Sequence, residues 1–176
     1  RAGGLLVVVN MNPDQKCNLN CLYCEVRRVA RNRRRRINIP IMSRELRAML
    51  SHLRDDDLQA LEDRAGVPRE LLQLKAVALS GDGEPTLCPK FFEVVQEIDR
   101  IRRSRAFPWF KMILVTNSTG LNRPAVRSGL SLFTESDEIW AKLDGGTQSA
   151  MRFMNQSDAS FRRVLCNIRQ LAKWRP

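Results

Sequence analysis

The chain has no long apolar stretch, which excludes one class of membrane protein at the outset. Its N-terminal apolar run, LLVVVN (5–10), is far shorter than the roughly 20 residues of a transmembrane helix. The surrounding segment, RAGGLLVVVN, also lacks the small-residue cleavage site of a signal peptide. We therefore predict no membrane association and a cytoplasmic protein.

Histidine and cysteine are also scarce, which limits the metal sites that the chain can build. There is one histidine, His52, and there are five cysteines. An odd number of cysteines cannot pair completely within one chain, and cytoplasmic thiols stay reduced unless a metal or cluster binds them. Because His52 has no partner histidine, zinc sites that need two histidines are excluded.

Acidic residues are outnumbered, and the excess positive charge is concentrated in one segment. The net charge is +11, and RRVARNRRRR, which begins at Arg27 and ends at Arg36, holds seven arginines and no acidic residue. Two interpretations stay open for this segment: a solvated basic loop, or a surface that contacts phosphates such as those of RNA.

Strand patterns and helix patterns alternate along the chain. Four β-rich runs are predicted as strands: LLVVVN (5–10), KAVALS (75–80), KMILVT (111–116) and EIWAKLD (138–144). Strands separated by helices predict an α/β fold with parallel strands and right-handed crossovers. Five helices are predicted as well. The first begins at Ser43, the second runs over DDDLQALEDRAG and ends at Gly66, the third follows Pro89, the fourth follows Asn122, and the last begins at Ser160.

Three of the five cysteines lie within eight residues, CNLNCLYC (17–24). Thiolates bind soft metals and iron–sulfur clusters. A structural zinc ion takes four ligands, and only Cys88, just after GDGEPT, is placed to supply a fourth thiol. A 4Fe–4S cluster normally takes four cysteines, so three would leave one iron open for a substrate or cofactor. The spacing favours a cluster, with zinc as the alternative.

CNLNCLYC resembles the cysteine motif of radical S-adenosylmethionine enzymes, in which an aromatic residue, here Tyr23, precedes the third cysteine. SGDGEPT (80–86) resembles the glycine–glutamate–proline motif of the same family, and GDGEPT with KLDGG is most similar to its wyosine-type, transfer-RNA-modifying branch. The resemblance implies a partial TIM-like (β/α) barrel with about four strand–helix units of an expected six. It further implies a C-terminally truncated core domain over 1–176, with an arginine-rich insertion at 25–42.

The resemblance also implies a reaction. A 4Fe–4S cluster would reductively cleave S-adenosylmethionine to a 5′-deoxyadenosyl radical, which abstracts hydrogen from an unidentified substrate, RNA being one candidate. A reductant such as flavodoxin or ferredoxin would supply the electron. Two alternatives remain: an enzyme that installs a glycyl radical on a partner protein, and a non-catalytic zinc- or cluster-bearing module that binds RNA.

By the same resemblance, Cys17, Cys21 and Cys24 are the cluster ligands, and no catalytic residue is assigned. Tyr23 would lie near the adenine, and the loop after strand two would face the methionine amino group. Residues after strand three and near the end of strand four would reach the ribose or the carboxylate. The residues at these three places are Gly81, Asp82, Gly83, Glu84, Asn117, Ser118, Lys142 and Asp144. The structural alternatives are an ordinary turn for GDGEP and a snorkelling edge lysine for Lys142.

Overall fold

One four-stranded parallel sheet organises the computed structural model, which describes residues 3–26, 36–53, 66 and 68–174. The strands pair in chain order, β1–β2–β3–β4. They are β1 Leu5–Asn10, β2 Leu74–Ser80, β3 Lys111–Thr116 and β4 Glu138–Ala141. Parallel strands with interleaved helices confirm the predicted α/β class and form a partial TIM-like barrel.

Five α-helices and two short 3₁₀ helices connect the strands within the described residues. The helices are α1 Ile39–His52, α2 Phe91–Arg103, α3 Pro124–Leu130, α4 Gln148–Asn155 and α5 Phe161–Trp174, with 3₁₀ helices at Arg69–Leu72 and Pro85–Leu87. Helix α4 was not expected, and β4 ends at Ala141 rather than Asp144. The helix predicted over DDDLQALEDRAG lies outside the described residues, apart from Gly66. No helix in the described ranges is long and apolar enough to cross a membrane.

Helix α1 begins earlier than predicted. It starts at Ile39 because the side chain of Asn38 accepts a hydrogen bond from the backbone N–H of Ile41, at 3.1 Å. Ser43, the expected cap, lies one turn inside the helix, and its hydroxyl donates to Glu97 of α2 instead. The predicted insertion at 25–42 thus includes the first turn of α1, and most of its arginines lie outside the described residues.

The predicted start of α3 is wrong, and the predicted start of α5 is confirmed. Asn122 does not cap α3, since Arg123 occupies the cap position and Pro124 begins the helix. Ser160 does precede α5, and its hydroxyl accepts a hydrogen bond from the backbone N–H of Arg163 at 3.3 Å.

The two faces of the sheet differ in how they are buried. Helices α1, α2 and α3 cover one face and form the main hydrophobic core, in which Phe91, Ile98, Met112 and Leu114 are fully buried. The other face carries a small cluster of Ala76, Ala78 and Ile113. Next to that cluster, Leu6 and Val8 of β1 are exposed.

A buried ion pair fixes the amino ends of β3 and β4. The fully buried carboxylate of Asp137 accepts hydrogen bonds from Arg102 at 2.7 and 3.0 Å, from the N–H of Met112 at 2.6 Å and from the N–H of Thr134 at 2.7 Å. Arg102 also binds Asp99, at 2.8 Å. Since β4 begins at the next residue, this network sets where that strand starts.

We expect Asp137→Ala to lower the free energy of unfolding by about 3–5 kcal/mol, because the buried Arg102 guanidinium loses one of its two carboxylate partners and the N–H groups of Met112 and Thr134 lose this acceptor. Urea denaturation measures the change. Arg103→Ala is the matched control: its exposed side chain also binds Asp99, at 2.6 Å, and its loss should cost no more than about 1 kcal/mol. Equal losses for the two variants would contradict the assignment.

Candidate functional site

Loops at the carboxyl ends of the strands line one cleft of about 310 Å³. In α/β folds with parallel strands, this is where sites are built. Two predicted residues, Ser118 and Asp144, do not line the cleft. Each forms a hydrogen bond with a residue that does, Ser118 with Lys142 and Asp144 with Tyr23. The predicted residues that line it are Cys17, Cys21, Tyr23, Cys24, Gly81, Asp82, Gly83, Glu84, Asn117 and Lys142.

N–H groups approach two of the three thiols on the wall of this cleft. The sulfur of Cys17 lies 3.5 Å from the backbone nitrogen of Leu19 and 3.8 Å from Nδ2 of Asn117. The sulfur of Cys21 accepts a hydrogen bond from Nδ2 of Asn155 at 3.2 Å. Such donors stabilise thiolates and tune iron–sulfur clusters.

The three thiols of the cysteine loop are not grouped around one common point in the described residues. Across the described residues, no three His, Cys, Asp or Glu side chains are grouped to hold one ion. Zinc needs its sulfur ligands about 2.3 Å from one common centre, whereas a cubane distributes its thiolates over separate irons. Both the cluster on Cys17, Cys21 and Cys24 and the zinc alternative therefore stay predictions.

The two remaining cysteines lie away from the cleft. Cys88 is buried in the main core with Phe91, and burial raises the pKa of its thiol. Cys166 is exposed on α5. Cys88 therefore does not supply the fourth thiol that a tetrahedral zinc site would need.

The GDGE loop after β2 requires its glycines. Gly81 has φ +129°, and a Cβ there would lie 2.1 Å from Oδ1 of Asn10. A Cβ on Gly83 would lie 2.3 Å from the carbonyl oxygen of Lys16, and the next N–H, that of Glu84, donates to the same oxygen at 2.9 Å. The loop thus packs directly against the residue before Cys17.

Asp82 and Glu84 are both held by protein donors. Asp82 accepts a hydrogen bond from Nδ2 of Asn10 at 2.9 Å. The buried Glu84 carboxylate accepts from the hydroxyls of Thr86 at 2.6 Å and Thr116 at 2.5 Å, and from the N–H of Asn117 at 2.8 Å. Its carboxylate therefore joins the ends of β2 and β3, and contact with an amino group stays a prediction.

Ser118 joins the ends of β3 and β4. It is fully buried in the left-handed region, at φ +68°, a conformation that is rare for residues other than glycine. Its hydroxyl donates to the carbonyl oxygen of Lys142 at 3.0 Å, and its own carbonyl accepts from Nδ2 of Asn167 at 3.0 Å. These bonds favour a structural role at the rim of the cleft.

Tyr23, Lys142 and Asp144 form one connected group. The Tyr23 hydroxyl donates to Asp144 at 2.5 Å and accepts from Nζ of Lys142 at 2.7 Å. The same ammonium group lies 4.4 Å from the centroid of the Tyr23 ring, within cation–π range. Partial burial and the hydrogen bond to Asp144 hold the pKa of Tyr23 well above its usual range, so the hydroxyl stays protonated as a donor.

Two residues of this site were missed by the sequence reasoning, Asn10 and Asn155. Asn10 ends β1 and could have been recognised as a polar residue that interrupts an apolar run. Asn155 ends α4, the helix that was not predicted. The available signal was Thr147, whose hydroxyl caps α4 by accepting from the N–H of Ala150 at 3.2 Å.

No family model matches the chain. The chain is 30% identical over 150 residues to the UPF0026 protein slr1464 of Synechocystis sp., a match that covers 82% of this chain and 45% of that protein. Its fold is similar to that of TYW1, solved with a lysine–pyruvate adduct bound, with a TM-score of 0.55, 16% identity and coverage of 98% of this chain and 52% of that one. The chain thus spans about half the length of each, and the likeness to TYW1 shows that the two share a fold.

We expect Gly83→Ala to lower the free energy of unfolding by roughly 1–3 kcal/mol, because its Cβ would overlap the Lys16 carbonyl oxygen and displace the loop. Gly146→Ala is the control, since a Cβ there meets no atom within 4 Å and should change stability by no more than about 0.5 kcal/mol. Urea denaturation of both variants is the measurement. A neutral Gly83→Ala would show that the loop does not pack as described.

Proposed function

We propose that this chain is the cluster- and cofactor-binding part of a radical S-adenosylmethionine enzyme. One observation carries the proposal. The three thiols of residues 17–24 and the glycine-rich loop of residues 81–84 border the same cleft, at the carboxyl ends of the strands. The motif resemblance and the fold shared with TYW1 support the same function independently.

The residues at the cleft suit a 4Fe–4S cluster and S-adenosylmethionine. Three thiols without a fourth at the cleft would leave one iron available to a ligand. Gly81 and Gly83 let the GDGE loop pack against Asn10 and Lys16, which holds its backbone at the cleft, where it would meet an amino acid moiety. N–H donors at the sulfurs of Cys17 and Cys21 offset the negative charge that thiolate ligands bring.

When bound, the cluster and S-adenosylmethionine would supply the one-electron reduction and the radical-forming bond cleavage. The protein's own residues bind and orient. Cys17, Cys21 and Cys24 would bind three irons, while Asp144 and Lys142 fix the position of the Tyr23 ring at the cleft. Cys24 is exposed, so an external reductant such as flavodoxin or ferredoxin would reach the cluster from that side.

The substrate belongs to the proposal as well. We propose RNA, contacted by the arginines of residues 27–36, most of which lie outside the described residues. A glycyl-radical-activating enzyme would use the same cleft and differ in its substrate, a partner protein.

We expect anaerobic reconstitution to give about four irons and four sulfides per chain with a brown, oxygen-sensitive chromophore. Replacing Cys17, Cys21 and Cys24 together with alanine should abolish it, because no other thiol lines the cleft. Iron and sulfide analysis with absorption spectroscopy measures this.

Cys88→Ala and Cys166→Ala are the controls, and both should retain the cluster. A chromophore that survives the triple replacement would refute the ligand assignment. Loss of the cluster in Cys88→Ala alone, with the fold intact by circular dichroism, would instead indicate four protein thiols.

Neutralising four of the seven arginines in residues 27–36 to glutamine should weaken RNA binding similarly across sequences and flatten its salt dependence, since phosphate contacts release counterions. Filter binding at several salt concentrations measures both. The exposed cations Arg162, Arg163, Arg169 and Lys173 on α5, also changed to glutamine, are the control for net charge, since both variants lose four positive charges. If RNA affinity depended equally on salt concentration in wild type and in the variant of residues 27–36, the arginines would not contact RNA phosphates and the segment would be a solvated loop.

A further inference from the structure

The last turn of α4 holds the cysteine loop through its main chain. The N–H of Asn20 donates to the carbonyl oxygen of Asn155 at 2.9 Å, and the N–H of Leu22 donates to that of Met154 at 3.0 Å. These two donors flank Cys21 on either side. The backbone around the middle cysteine of the motif is therefore attached to a helix that lies more than 120 residues further along the chain.

The side chain of Asn155 adds a second attachment at the same point. It is 1% exposed, and its Nδ2 donates to the sulfur of Cys21 at 3.2 Å and to the carboxylate of Asp144 at 2.7 Å. Both partners are acceptors here, so the nitrogen must face them and the orientation of the amide is determined. One amide group thus links the cysteine loop to the segment that follows β4.

This orientation leaves an unsatisfied atom. Within the described part of the chain, Oδ1 of Asn155 is buried and has no hydrogen-bond partner. A buried acceptor without a donor costs about 1–3 kcal/mol. Turning the amide over would present an oxygen to the sulfur and to the carboxylate, and both bonds would be lost. The two hydrogen bonds that Nδ2 donates therefore determine the orientation of the Asn155 amide, and Oδ1 is left without a donor.

We propose that Asn155 is a positioning residue that acts through Cys21 and raises the reduction potential of the cluster bound there. The inference rests on the proposed function. Hydrogen bonds to the sulfurs are among the factors that set the potential of an iron–sulfur cluster. An N–H group stabilises the reduced cluster more than the oxidised one, because the reduced cluster is more negative. Losing the donor should therefore make the cluster harder to reduce.

The chain offers a matched control for this bond. Asn167 of α5 is also a buried asparagine, 4% exposed, and its Nδ2 donates two hydrogen bonds, to the carbonyl oxygens of Ser118 at 3.0 Å and Thr119 at 3.2 Å. Neither acceptor is a cysteine. Replacing either asparagine removes a buried amide that donates two hydrogen bonds. Of the two, only Asn155 donates to a proposed cluster ligand, Cys21.

The experiment compares Asn155→Leu and Asn155→Ala with Asn167→Leu and Asn167→Ala in the full chain after anaerobic reconstitution. Iron content and the midpoint potential, from a redox titration followed by electron paramagnetic resonance, are measured for each. The bonds from the N–H groups of Asn20 and Leu22 involve only backbone atoms, so they remain available in the Asn155 variants. We expect iron content near that of wild type and a potential more negative than those of wild type and both Asn167 variants.

Each other outcome also decides the question. Loss of iron in folded Asn155 variants, with iron retained in the Asn167 variants, would show that Asn155 is needed to bind the cluster and would overturn its role in setting the potential. Equal loss in both pairs would reduce Asn155 to a structural residue and overturn the proposal, as would an unchanged potential in loaded Asn155 variants. A folded wild-type chain that binds no cluster would overturn the proposed function itself, which separates that failure from this one.

Discussion

The buried carboxylate of Glu84 is the interaction on which the rest of the cleft depends. It accepts hydrogen bonds from Thr86, Thr116 and Asn117, so one side chain holds the ends of β2 and β3 at a fixed separation. A buried carboxylate without such donors would be strongly destabilising. The backbone N–H of the same residue donates to the carbonyl oxygen of Lys16. The glycine-rich loop, the loop after β3 and the start of the cysteine motif are therefore placed by contacts of a single residue.

The two ends of the sheet are built from different chemistry. The amino end carries a closed charged network, Arg102 with Asp99 and Asp137, in which the acceptors of Asp137 are filled by protein donors. The carboxyl end carries asparagines, threonines and cysteines whose bonds join one loop to the next. This division suits the general behaviour of parallel α/β folds, where one end of the sheet stabilises and the other is free to vary.

The parts of the fold that sequence predicts well are those with strong local patterns. LLVVVN and KMILVT are β-branched and apolar, and β1 and β3 have those bounds. Helix α4 was missed because QSAMRFMN is only eight residues long, a window too short for its apolar spacing to identify a helix. The start of α1 was misplaced because Asn38 and Ser43 are both good caps, and local sequence does not choose between them.

The same limit applies to the candidate site. The cysteines and the GDGE loop could be brought together in advance, because both follow predicted parallel strands and carry a recognisable spacing. The burial of Cys88 could not be predicted, since a residue one turn beyond the GDGE loop can face either the cleft or the core. Nor could the role of Asn155, because its bond to Cys21 joins positions 134 apart in sequence.

That separation has a consequence for the order in which the protein is made. The cysteine motif leaves the ribosome before Met154 and Asn155, the residues that bind its middle part. At about 5–20 residues per second, translation takes roughly 7–27 s to cover this distance. During that interval the nascent chain lacks the three hydrogen bonds that Met154 and Asn155 make around Cys21. The conformation of the loop around Cys21 is therefore completed only after the chain has been synthesised through Asn155.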